Sequence, residues 1–316
     1  MTGNFPLPYN TLVVAGGMAA VGCAAGVVGC LGVLRRRSLA ADAASHATLA
    51  GVALALLATG RRELPVLLAG GLLTAIGSLL VLVMLRRFTR TREDAATAIV
   101  LGVSFGLGIT LLSGMTARGI PGSAGLEQFL LGQTAALTAA DALLLGCLSV
   151  AAVTLVWVGL KEVVLVAFDA PFAAASGWPV FAIDTALVAL LAVMVVVGLP
   201  AAGAVLVTAL LVIPPSAARQ WTDRVATMLV LSGACGLTAA LVGVAISAAV
   251  PRLATGPVMV LAAAAIFAVS FFLGPKRGVW ARWRQQRALE RQWSGAGREQ
   301  TQSPAKAAEG SGPWIS

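Results

Sequence analysis

Residues Thr185 to Ile213 read TALVALLAVMVVVGLPAAGAVLVTALLVI, 29 consecutive residues without a charge. One helix needs about 20 apolar residues to cross the ~30 Å hydrocarbon core of a bilayer. The run is therefore too long for one crossing and short for two. Gly198-Leu199-Pro200 and Gly203 interrupt it near the middle. We expect a span, a tight turn, and a short span ending at Pro214-Pro215, a broken arrangement common beside transport pathways.

Charge placement decides between the two counts. Splitting the run gives nine spans: about Thr11–Leu34, Ala43–Thr59, Val66–Leu85, Ala96–Ser113, Ala139–Gly159, the two halves of the run, Val225–Val250 and Pro257–Leu273. With the Arg35 side inside, 18 of the 22 Lys and Arg then face the cytoplasm. Merging the halves leaves nine of 22 there. The positive-inside tendency favours nine spans, N-terminus out and C-terminus in, with Arg61 and Arg62 against the trend.

The rest of the composition agrees. The chain is 59% hydrophobic and 11% charged, where an ordinary soluble domain carries about 25% charge. The fold class is all-α, a polytopic transmembrane bundle, and its 35 Gly let helix backbones approach closely in lipid. A net charge of +9 reads as a basic cytoplasmic membrane face before nucleic-acid binding. Cys23, Cys30, Cys147 and Cys235 all lie in apolar segments without a Cys-x-x-Cys, so they read as small buried residues. Met1 to Asn10 carries no Lys or Arg, so the first apolar block reads as a retained span, not a cleaved leader. Residues 1–274 form the membrane domain. Residues 275–316 form a basic cytoplasmic tail, its start (Lys276, Arg277, Trp280, Arg282, Trp283) suited to anionic lipid and its remainder expected to be disordered.

Two constellations carry chemistry. The first is Ser38-Leu39-Ala40-Ala41-Asp42-Ala43-Ala44-Ser45-His46-Ala47-Thr48-Leu49-Ala50-Gly51, which holds the only histidine in the chain. Asp42 and His46 stand four apart, on one helix face. Asp42 can be read as the cap of the second span and His46 as a satisfied core residue. Equally, carboxylate and imidazole suit zinc and tolerate manganese, and ionisable groups inside a membrane need a reason. Two ligands make a weak site, of the kind conduction requires, and a symmetric dimer would double the set.

The second constellation is Lys161 to Pro179, too polar and interrupted to span. Asp169 followed by Pro171 starts a short helix; Gly177 ends it and Pro179 prevents its return. It reads as an interfacial helix or as a docking knob for a cytoplasmic partner. The connection Gly114–Leu137 contains an amphipathic piece, Leu126 to Gln133. Several activities are excluded. The chain has no Gly-x-x-x-x-Gly-Lys-Ser/Thr phosphate loop, no His-Glu-x-x-His, and no Gly-x-Ser-x-Gly elbow with a histidine partner.

Taken in order, these motifs resemble the membrane permease subunit of ABC importers for zinc, manganese or iron. The resemblance is carried by Leu34-Arg35-Arg36 to Leu39, Ala41 to Gly51, Thr97-Ala98-Ile99, Glu127 to Gly132, Phe168-Asp169 to Gly177-Trp178-Pro179, and Val197-Gly198 through Ala209 to Pro214. It covers about Leu12 to Leu273. It implies that Asp42 and His46 line the metal pathway. Phe168, Asp169, Ala173 and Gly177 would then belong to a coupling helix that docks on a separate ATP-binding subunit. It further implies a homodimer in the cytoplasmic membrane that is fed by an extracytoplasmic metal-binding protein. Such a permease has no catalytic residues and no resident cofactor, the divalent ion being cargo. The chain departs from the usual pattern at Ala41, where the family has Gly, and at Ala50, where it has Pro. The alternatives are a siderophore- or cobalamin-type permease, and a lipid-acting membrane enzyme. The second would need an acidic and basic cluster at a membrane face, and only Arg86 to Asp94 offers one, without paired Asp motifs.

Overall fold

The computed structural model describes residues 9–35, 37–120, 137–250, 253–276, 278–280, 283 and 287. Among the described residues there are eleven helices and no strands: α1 (Tyr9–Leu34), α2 (Ser38–Thr59), α3 (Leu64–Phe88), α4 (Glu93–Ala117), α5 (Ala139–Val158), α6 (Leu160–Phe168), α7 (Ala170–Ala175), α8 (Val180–Ala202), α9 (Ala204–Ala218), α10 (Val225–Ala249) and α11 (Thr255–Leu273). The amphipathic piece Leu126–Gln133 and nearly all of the tail past Trp280 lie outside the described residues.

Eight of these helices are long and apolar enough to cross a membrane; α9 is the short ninth. The 29-residue run does split, but at one residue. Helix α8 continues through Gly198, Leu199 and Pro200 and stops at Gly203, whose φ of 89° is costly for any side chain with a Cβ. The chain then turns straight into α9, which carries on past Pro214-Pro215 to Ala218. Pro200 lacks the N–H that would donate to the Val196 carbonyl, and only Ala201 and Ala202 of α8 follow it before Gly203.

Side-chain and backbone contacts fix the direction of each pass. The Lys276 amide donates to the Gln220 carbonyl at 3.2 Å, which sets the end of α11 beside the end of α9. Lys276 also pairs with Asp223 at 3.6 Å. At the opposite end, a Cβ on Gly256 would meet the carbonyl of Ala202 at 2.7 Å, so α11 starts where α8 finishes. Arg35, at the end of α1, reaches Asp184 at the start of α8. Arg86 and Arg87 of α3 line the same space as Arg37 and Asp184. These contacts gather Arg35, Arg37, Arg86, Arg87, Asp184, Gln220 and Lys276 at one end of the bundle. That is the grouping the nine-span topology expects of its cytoplasmic face.

The centre is built on α1, which packs most extensively against α10 and also touches α5, α8 and α9. Glycine makes this possible. A Cβ on Gly22 would come within 2.5 Å of the Gly236 carbonyl, and the Ser232 hydroxyl donates to the Gly26 carbonyl at 2.6 Å. Backbones this close gain dispersion over a wide surface, the main attraction left when lipid replaces water. Any larger residue at Gly22 would force the two helices apart. A second group, α2, α3 and α4, packs together, with Gly51 of α2 against Gly70 of α3, and joins the centre where α2 and α3 meet α8 and α2 meets α9.

Candidate metal pathway and docking surface

Helix α2 begins at Ser38, five residues before the expected Ala43. This decides one of the two readings of Asp42. The residue at the helix cap is Arg37, with no side-chain capping bond, and Asp42 lies in the second turn. Asp42 is therefore not a cap. The helix runs unbroken through Ala50 to Thr59 and is closed by Gly60 at φ 65°.

Along α2, Asp42 and His46 are the only positions between Ala40 and Ala53 that are not buried. His46 Nε2 lies 3.8 Å from Asp42 Oδ1. That is too long for a hydrogen bond. Two atoms that each sit about 2.0–2.2 Å from one tetrahedral metal ion lie about 3.3–3.6 Å apart, so the pair is a few tenths of an ångström wider than a closed site. The imidazole is set by Phe105 of α4, edge to face, with ring centroids 5.1 Å apart and planes at 81°. The neighbouring hydroxyls are otherwise engaged: Ser45 Oγ donates to the Asp42 carbonyl at 2.7 Å, and Thr48 Oγ1 donates to the carbonyls of Ala44 and Ser45. The pair thus presents one carboxylate and one imidazole. Among the described residues, no group of three His, Cys, Asp or Glu could hold a metal.

The second constellation forms two short helices at the basic end, α6 and α7. Asp169 caps α7 as expected, accepting from the Phe172 amide at 2.9 Å, with Pro171 in the first turn. Gly177, at φ 84°, closes it: its amide donates to Ala174 and the Trp178 amide donates to Ala173. This pair of bonds is the Schellman arrangement. Ala173 is fully buried against its own chain. The outward surface is instead Phe168, Phe172, Ala174 and Ala175, continued by Trp178 and Phe181, with Phe168 71% exposed and Phe172 58% exposed. Four large aromatics are thus exposed at one edge of the segment.

Sequence reading missed Asp184. Its Oδ1 accepts from Arg35 at 2.7 and 3.2 Å, its Oδ2 from Arg37 at 2.8 Å, and Arg35 Nη1 also donates to the Val166 carbonyl of α6 at 2.9 Å. Asp184 thereby ties the α1–α2 connection to α8, and Arg35 ties it to the short-helix segment. Arg35 and Asp184 are 149 residues apart, so no local signal could pair them.

Eight helices long and apolar enough to cross a membrane, with a short ninth apolar helix among them, define a multi-pass helical membrane protein. The profile described as the ABC 3 transport family matches residues 9–274, and the chain belongs to that family. It is 41% identical over 280 residues to the zinc transport system membrane protein TroC of Treponema pallidum (strain Nichols), covering 88% of this chain and 94% of that one. It is 38% identical over 273 residues to the manganese transport system membrane protein MntC of Bacillus subtilis (strain 168), covering 86% of this chain and 63% of that one. Among solved structures it is similar to PsaBC from Streptococcus pneumoniae in complex with Fab, with a TM-score of 0.76, 29% identity, and coverage of 90% and 96% of the two chains. The chain is a multi-pass integral protein of the cytoplasmic membrane.

Proposed function

We propose that this chain is the permease through which an ABC importer moves a divalent metal ion, zinc or manganese, into the cytoplasm. The observation that carries the reading is the Asp42–His46 pair, 3.8 Å apart on the least covered stripe of an otherwise buried helix segment. Relatives named for zinc and for manganese transport support the ion class. The donor set accepts either ion, since oxygen and imidazole nitrogen suit both.

Two protein ligands hold an ion weakly, which lets it leave again. Two protomers related by a two-fold axis would present the pair twice, so the working unit in this reading is a homodimer. An extracytoplasmic binding protein delivers the ion to one end of the bundle. At the other end, the Phe168–Phe172 surface of α7 rests on an ATP-binding subunit, whose hydrolysis drives the change of access. The closed hydrogen bonding of α7 makes it stiff enough to pass a push on to α6 and α8.

The test is transport by the chain reconstituted in liposomes with its ATP-binding subunit and binding protein. ATP-dependent accumulation of zinc or manganese as free ions is the expected result. Accumulation of a metal chelate but not of the free ion would overturn the ion assignment. Ala174→Arg puts a charge on the exposed face of α7, where burying it unpaired against a partner is costly. ATP hydrolysis stimulated by the permease should then fall about tenfold or more, at unchanged expression. Full stimulation would remove α7 as the docking element.

A further inference from the structure

Helix α6 ends at Phe168, and the last four carbonyls of a helix have no partner within it. The Asp169 amide takes the Leu165 carbonyl. The Val166 carbonyl is taken by Arg35, whose Nη1 donates to it at 2.9 Å. A cation at a helix C-terminus also meets the negative end of the helix dipole. The same guanidinium donates through Nε and Nη2 to Asp184 Oδ1, at 3.2 and 2.7 Å. Val166 precedes the α7 knob and Asp184 follows it, so one side chain clasps the segment on both sides. Arginine suits the place because its five donors lie in one rigid plane.

The clasp reaches the helix that bears the metal pair. Arg35 stands just past the end of α1, three residues before Ser38 opens α2. Arg37 donates to the second oxygen of Asp184 at 2.8 Å, so the head of α2 is held by the same carboxylate. From Ser38 the helix runs without a break past Asp42, about 6 Å on, and His46, about 12 Å on. Neither α6 nor α7 packs substantially against α1 or α2. Helix α8 does pack on α2, but packed helices can slide past one another by small amounts. Hydrogen bonds weaken steeply as they leave line, so the Arg35 contacts hold one relative position.

We propose that Arg35 is the positioning residue that couples α7 to α2: a displacement of the knob by its cytoplasmic partner is handed through the clasp to the head of the helix that bears Asp42 and His46. The inference rests on the permease reading above and adds to it the link between ATP hydrolysis and the metal pair.

The experiment uses the full chain reconstituted in liposomes with its ATP-binding subunit and binding protein. Zinc or manganese uptake and ATP hydrolysis are measured on the same vesicles, which gives ions moved per ATP and cancels the amount of folded complex. R35Q removes the charge and the fork. Its ATP hydrolysis should stay within about twofold of wild type, because the exposed face of α7 is untouched, while uptake falls about tenfold, the worth of one hydrogen bond to a charged group. R35K keeps the charge on a single ammonium without the planar fork, so its ions per ATP should fall about threefold. It serves if R35Q does not fold. R90Q, which removes an exposed arginine of the loop after α3, should leave the ratio unchanged. An unchanged ratio in the Arg35 variants, uptake and hydrolysis falling in proportion, or an equal loss in R90Q would each overturn the proposal while leaving the permease reading in place. A wild-type complex that hydrolyses ATP and moves neither ion would overturn that reading, and this inference with it.

Discussion

Asp42 and Asp184 are carboxylates near the same end of one bundle, and they stand in opposite chemical situations. Asp184 is held by two arginines from the α1–α2 connection, at 2.7 and 2.8 Å, and its side chain is 23% exposed. Its lone pairs are spent on the protein. The Asp42 side chain is 39% exposed, and its one ion-pair partner among the described residues is His46, at 3.8 Å. Nothing in the fold requires its charge. A membrane protein keeps an ionised group either because the fold uses it or because a passing charge does, and under the proposed function these two residues divide along that line.

The comparison breaks most visibly if the metal role of α2 fails. Asp42→Asn keeps the shape and removes the negative charge, while His46→Gln keeps polarity and removes a good ligand. Each should lower metal uptake by about a hundredfold, since even groups that only orient metal ligands cost 10–100-fold. The thermal midpoint of the purified protein should hardly move. Wild-type uptake by both variants would make the pair structural.

Asp184→Ala should give the opposite pattern. It removes the carboxylate shared by Arg35 and Arg37, whose side chains are 16% and 12% exposed. Stability should drop by about 2 kcal/mol, less than the ~3–5 kcal/mol for breaking a fully buried pair. Denaturation in detergent measures it, and Asp184→Glu should recover part. Metal binding per folded molecule should stay within about twofold. An unchanged midpoint would show that the three-way contact is not a structural tie.

The smallest effect is expected at Phe105, which orients the imidazole without touching the ion. An edge-to-face ring contact contributes about 0.5–1.5 kcal/mol. Phe105→Ala should reduce uptake by only a few-fold, with Phe105→Leu closer to wild type. A loss as large as that of His46→Gln would mean that Phe105 shapes the pathway directly.

How far each of these was legible depended on the range of the interaction. Asp42 and His46 could be paired from sequence because a helix brings i and i+4 together. What misled was the start of α2: an aspartate at the head of an apolar block looks like a cap, whereas Arg37 holds that position with no side-chain bond. The caps of α7 were legible for the same local reason, as Asp169, Pro171 and Gly177 act within a few residues. The buried side of Ala173 was not, because six residues show no periodicity to read. In the central hairpin, the need for a break followed from length alone. Its place did not, since Leu191 to Ala202 is buried on almost every side and so carries no polar face to mark a boundary. Asp184 gave no sign of its role, its partners lying nearly half the chain away.

The short helix α9 has one further consequence. At 15 residues it is about 22 Å long, well under the hydrocarbon thickness, yet none of its described residues is exposed. It is walled in by α1, α2, α8, α10 and α11. Lipid tails do not reach it, so its length is not tuned to the bilayer. Helices α3 and α4, with Leu73 75% exposed and Val103 67% exposed, have no such shelter. A thicker or thinner membrane would tilt or strain that outer pair while the inner hairpin stayed in register with its neighbours. The molecule thus carries its own ruler at the centre and borrows the membrane's only at the rim.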